Sequence, residues 1–171
     1  NMWIVDKLTR GSGTILGFAQ FPGGAASTDG VVMADQYFGT TGTAQSPFDG
    51  GRTTTHEVGH FLNLRHIWGD GPCGSDDFVS DTPESDAANY GCKTGHTSCG
   101  SEDMVQNYMD YSDDTCMNLF TLGQKNRMRA VLEAGGSRRS LALSDKFGSG
   151  TTCNATVPTG VSTSGVTATG A

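Results

Sequence analysis

Long apolar runs are missing from this 171-residue chain. No stretch approaches the roughly 20 apolar residues that a spanning helix needs, which excludes a helical membrane protein. Charge is scarce too, at 17% of residues, which argues against a charge-driven disordered chain. Positive charge is the scarcer sign: 11 Lys and Arg stand against 18 Asp and Glu, a net of -7. Such a chain repels phosphate backbones, so nucleic acid is not an expected partner. The 5 cysteines contain no Cys-x-x-Cys pair, which argues against a zinc ribbon or finger. No internal repeat and no signal peptide is legible. The chain opens on Asn1-Met2-Trp3-Ile4-Val5, which reads as a strand already in a core, so a processed or excised piece is expected.

The length suits one domain, and a domain of this size buries roughly 70% of its unfolded surface. Glycine is abundant, 25 residues, against an average usage of about 7%, so many loops and tight turns are expected. Residues 2–6, 14–21 and 30–38 read as strands, with a turn at Gly11 to Gly13. A helix is predicted over 53–64 with Thr53 or Thr54 as N-cap and Val58, Phe61, Leu62 and Leu64 as its apolar face. Residues 69–107 show no sustained period, so something other than a core must hold them. A last helix begins near Thr121, which has capping-box spacing to Gln124. From residue 148 the composition shifts to Thr, Gly, Ser and Ala without charge, the signature of a linker. The domain is therefore expected over 1–147 and a linker over 148–171. Within the linker, Val157-Pro158-Thr159-Gly160-Val161 resembles the start of a fibronectin type III module. Asn154-Ala155-Thr156 is a glycosylation sequon, meaningful only in a eukaryotic secretory host.

His56-Glu57-Val58-Gly59-His60 is an HExxH motif on the predicted helix. Residues i and i+4 share a helix face, so both imidazoles reach one metal and Glu57 reaches a water bound there. Imidazoles suit zinc, and three protein ligands leave one position open. The third ligand is His66, which requires a sharp turn after His60. Asn63 is one of the few non-glycine residues that tolerates the left-handed conformation of such a turn.

The run HEVGHFLNLRH resembles the signature of metzincin metallopeptidases, with Asn63 in place of the usual glycine. Asn107-Tyr108-Met109-Asp110-Tyr111 resembles their Met-turn. LGFAQFPGG, DGVV, GRTTTHEVGH, Asp81-Thr82-Pro83 and NYMDYSDDTCMNLFTLGQKNRM narrow the resemblance to the pappalysin family, from about Leu16 to Leu132. It implies an α+β fold: a twisted sheet with the active-site helix above a cleft, and an irregular, disulfide- and calcium-stabilised subdomain below. It also implies further sequence before the strand at Met2. By resemblance, His56, His60 and His66 hold zinc, Glu57 is the general base, and Met109 forms an apolar floor under the metal. Tyr111 stabilises the oxyanion, and the rim strand with Gly17, Phe18 and Ala19 pairs with an extended polypeptide substrate.

The acidic run from Asp76 to Glu84 looks like a calcium loop, although not an EF-hand, and the resemblance strengthens that reading. The expected ligands are the side chains of Asp77 and Glu84 with oxygens from Asp76, Val79 and Thr82. Two disulfides in an oxidising compartment are preferred to buried thiols, and four cysteines allow three connectivities. The family pattern suggests Cys73 with Cys99 and Cys92 with Cys116; Cys153 stays unassigned. If Asp113 or Asp114 faces the S1′ pocket, a basic P1′ residue is preferred. The expected function is a secreted zinc endopeptidase of undetermined oligomeric state. The alternative is a non-catalytic binding or adhesion module, which the intact Glu57 disfavours.

Overall fold

The computed structural model describes residues 1–147. The linker, the sequon, the module resemblance and Cys153 lie outside the described residues. Four strands lead the chain: β1 (Met2–Val5), β2 (Thr9–Arg10), β3 (Gly13–Thr14) and β4 (Gly17–Ala19). A fifth, β5 (Val31–Ala34), joins β1 and β4 in a sheet of order β1-β5-β4. β5 is the central and most buried strand, with Val31, Met33 and Ala34 all buried. It pairs in parallel with β1, Met2 opposite Val31, and antiparallel with β4, Gly17 opposite Met33. β4 is therefore an edge of this sheet.

The single strand expected over 14–21 is two pieces in two sheets. Gly11, at φ 60°, turns the chain so that β3 closes a hairpin on β2, with Arg10 opposite Gly13. Ile15 donates its N–H to Leu8 at 3.2 Å and closes the hairpin; Leu16 already accepts from Ala34 of the main sheet. The strand expected over 30–38 stops at Ala34, where Asp35–Tyr37 forms a 3-10 turn.

The helix α1 (Arg52–Phe61) starts earlier than the Thr53 or Thr54 cap implied. Its N-cap is Gly51 in the left-handed region, and Thr53 is buried. A distant carboxylate replaces the local cap: Asp114 accepts from Gly50 N at 2.8 Å and Arg52 N at 3.0 Å. An anion at a helix N-terminus meets unpaired amides and the positive end of the dipole. At the other end Asn63 has φ 77°. Leu64 N–H reaches Gly59 O and Asn63 N–H reaches His60 O, both at 2.9 Å. This is a Schellman ending with asparagine in the glycine position.

The lower half contains only β6 (Thr97–Ser98) and β7 (Ser101–Glu102), a two-residue antiparallel pair. Disulfides Cys73–Cys99 and Cys92–Cys116 staple it. A buried polar network holds it as well: the Asn89 amide donates to Asp103 and Asp110, and Asp103 also receives Ser98 and His96. Its apolar centre is small, built from Leu64, Ile67, Trp68 and Met109. The helix α2 (Leu122–Ala130) carries the expected capping box, and Asp81 adds bonds from Thr121 Oγ1 and Gly123 N. From α2, Gln124 exchanges two amide bonds with Asn107, and Arg127 donates to Asn63 O. A short α3 (Arg139–Ala142) follows Arg138. That buried guanidinium donates to Phe61 O and Gln20 O and pairs with Asp29.

Candidate active site

α1 places His56 and His60 one turn apart on one face, with Glu57 beside them. The turn at Asn63 brings His66 back to the same point. One ligand atom from each of the three histidines lies within 4.8 Å of the others. Every Nδ1 is already committed. His56 is 2.7 Å from Tyr108 O, His60 2.8 Å from Leu64 O, and His66 2.5 Å from Asp70 Oδ1. Donating Nδ1–H to those oxygens leaves each Nε2 with its lone pair. The Nε2 atoms of His60 and His66 face each other at 3.1 Å. A proton does not reconcile them, because burial pulls His56 well below its ordinary value, lowers His60, and takes His66 down to about 3. A cation does. Nitrogens about 2.0–2.1 Å from a tetrahedral zinc stand about 3.4 Å apart, so the donor set fits that ion.

Aromatic rings and sulfur fix the ligands around this point. Trp68 stacks on His66 with centroids 4.3 Å apart, Phe21 lies 5.2 Å from the His60 ring, and Tyr111 sets its edge against His66 at 4.9 Å. Met109 is fully buried beneath α1, where its Sδ occupies the space that a Cβ on Gly59 would need. The glycine in His-Glu-Val-Gly-His thus admits the Met-turn. Asp70 holds the third ligand's orientation from outside. Such carboxylates tune metal affinity by about 10- to 100-fold, so Asp70→Asn should weaken zinc retention by that factor in a chelator competition. Unchanged retention would remove Asp70 from the site.

Glu57 is buried, and burial raises its carboxyl to about 8. The rim strand presses on it: a Cβ on Gly17 would stand 3.0 Å from Glu57 Cγ and 2.8 Å from Met33 Sδ. Burial, with the Glu57 charge next, pushes the Tyr111 phenol up to about 12, so it stays a hydrogen-bond donor. The cleft over these groups encloses about 800 Å³, and its walls include Gly17, Phe18, Ala19, Phe21, Tyr111 and Asp114.

A family profile described as Pregnancy-associated plasma protein-A matches residues 1–133. The chain belongs to that peptidase family. It is 42% identical over 125 residues to Extracellular metalloprotease 1 of Coccidioides posadasii, covering 70% of this chain and 45% of the relative. An extracellular metalloprotease of Arthroderma benhamiae is 40% identical over 152 residues, 82% of this chain and 50% of the relative. Among solved structures, mature mirolysin of Tannerella forsythia in complex with a cleaved peptide superposes with TM-score 0.72 and 46% identity. That match covers 82% of this chain and 55% of mirolysin. The fold is thus the α+β metzincin domain of this metallopeptidase family. The chain spans about half the length of the curated relatives it matches.

The remaining residues expected from the pappalysin resemblance fall in two places. Asp114 lines the cleft, while its neighbour Asp113 does not. In the acidic loop Asp77 is buried and accepts from Val79 N at 3.0 Å; the Thr82 hydroxyl, with its single proton, lies 2.9 Å from Asp77 Oδ2 and 2.6 Å from Val79 O. Asp76 Oδ1 takes Phe78 N, and Glu84 takes Gly74 N. Among the described residues these carboxylates form no converging cluster of three. Sequence reasoning missed Gly59, Asp70 and Trp68. The spacing of Asp70, four residues past His66, was the available signal.

Proposed function

We propose that this chain is the catalytic unit of a secreted zinc endopeptidase acting on extended polypeptides, with a basic residue preferred at P1′. The observation that carries the reading is the convergence of three lone-pair imidazole nitrogens beside one buried carboxylate, under a free strand edge. A zinc held by His56, His60 and His66 supplies a Lewis acid for the scissile carbonyl and lowers the pKa of a water toward ~7. The chain does the rest. The β4 edge binds the substrate backbone as an added strand. Glu57, kept ionised by the positive charge of a metal held beside it, takes a proton from the attacking water and returns it to the leaving amine. Tyr111 donates its hydroxyl to the oxyanion. Asp114 faces the P1′ side chain: Oδ2 holds the α1 amides, and Oδ1 has no hydrogen-bond partner among the described residues. Calcium on Asp77, Glu84 and the oxygens of Asp76, Val79 and Thr82 steadies the lower loop in this reading. The two disulfides fit an extracellular setting.

The test is an internally quenched peptide with a central Arg, beside one with Glu at that position. Mass spectrometry should place the cut on the N-terminal side of Arg, with the Glu peptide at least roughly tenfold slower, one charge contact of about 1.4 kcal/mol. Zinc-loaded protein that cuts neither peptide would sink the endopeptidase reading. Equal cutting of both would sink the basic pocket alone.

A further inference from the structure

Six charged side chains line the cleft: Arg10, Arg52, Glu57, Asp70, Asp110 and Asp114. Five are already engaged. Arg52 lies over the Tyr108 ring, and Glu57 is packed beneath Gly17. Asp70 faces His66, Asp110 is held by Asn89 and the Tyr111 amide, and Asp114 holds the start of α1. Arg10 is the exception. Its side chain takes part in no ion pair, hydrogen bond or ring contact among the described residues, yet it stands on the cleft wall.

The hairpin fixes where Arg10 meets a substrate. Arg10 is opposite Gly13, four residues before Gly17, and Gly17 sits against Glu57. A strand advances about 3.3 Å per residue, so Arg10 is displaced from the catalytic level by at most roughly 13 Å along the rim. A peptide pairs best antiparallel to the β4 edge. Its C-terminal half then runs from Gly17 back toward the hairpin.

We propose that Arg10 is a specificity-determining residue that binds the carboxylate of an acidic side chain at P2′ or P3′. The proposal rests on the endopeptidase reading above and deepens it: the favoured substrate carries a basic residue directly after the cut and an acidic one just beyond. An exposed cation in a largely acidic wall also repels a substrate whose basic residues continue past P1′, so the hairpin sorts charge patterns rather than single residues.

The experiment uses quenched peptides with a central Arg and a single Asp, Ala or Lys placed in turn from P3 to P3′. Wild type, Arg10→Ala and Arg10→Glu proteins are compared. Wild type should favour Asp over Lys at P2′ or P3′ by roughly tenfold in kcat/KM at low salt, with the preference shrinking as salt is raised. It should shrink in Arg10→Ala and invert in Arg10→Glu. A preference that is absent, or that survives Arg10→Glu unchanged, overturns the proposal. The same peptides, dye-labelled, are titrated by fluorescence anisotropy onto Glu57→Gln protein with and without Arg10→Glu, which reads Kd without turnover. If no protein cuts any peptide, the peptidase reading has failed and the Kd ordering decides Arg10 by the same two criteria.

Discussion

Glu57→Gln protein should bind zinc with wild-type stoichiometry and lose peptide cleavage by roughly 10²- to 10⁴-fold, the usual contribution of a positioned acid–base group. The substitution keeps the shape that fits between Gly17 and α1, where a Cβ on the strand would come within 3.0 Å of Glu57 Cγ. It removes only the ability to accept a proton. Glutamine has the same size and shape as the buried glutamate, so the substitution costs the fold little. The metal readout separates chemistry from collapse, because the nitrogens that bind zinc are oriented by Tyr108 O, Leu64 O and Asp70 rather than by Glu57. Retained cleavage within tenfold of wild type, with zinc bound, would show that another group moves the proton. Loss of zinc together with activity would assign Glu57 a structural role instead.

The second large effect is on stability. Removing either disulfide, as Cys73→Ser with Cys99→Ser or Cys92→Ser with Cys116→Ser, opens loops of 26 and 24 residues. The chain-entropy model gives about 3 to 4 kcal/mol for loops of that length. The loss falls on a segment with little apolar core or regular structure to offset it. Between α1 and α2 the only strands are the two-residue pair β6 and β7, and the apolar centre is Leu64, Ile67, Trp68 and Met109. A drop of that size shifts Tm by on the order of 10 °C for a chain this long. Thermal melts of the two paired variants check it. A Tm within about 2 °C of wild type would mean that the buried network around Asp103 and Asp110 holds the lower half unaided.

What the sequence made legible was local. His56, Glu57 and His60 declare themselves because one helical turn separates them, and Asn63 because few residues accept its conformation. Thr121 and Gln124 are legible for the same reason, as a cap needs only four consecutive residues. The illegible parts are contacts between distant segments. The start of α1 is not legible from its neighbours because its N-cap is a left-handed Gly51 and its first amides are held by Asp114, 62 residues from Arg52. The strand over 14–21 looked continuous because its β-forming composition says nothing of which sheet each half joins. Gly59 carries no periodic signal for Met109, since a missing side chain is informative only once its neighbour is known. Asp113 and Asp114 are equivalent candidates for a specificity pocket in sequence; only Asp114 stands on the cleft wall, and its bonds to the α1 amides are not readable from its neighbours.

Arg138 has a consequence for biosynthesis. It joins Phe61 O across 77 residues and Gln20 O across 118, so the far end of the rim strand is tied to α1 only after that guanidinium has been synthesised. Chains are made from the N-terminus and fold as they emerge. His56, His60 and His66 therefore leave the ribosome well before the guanidinium that ties the rim strand to α1, and because a domain folds as a unit its full set of long-range ties is complete only once Arg138 has emerged.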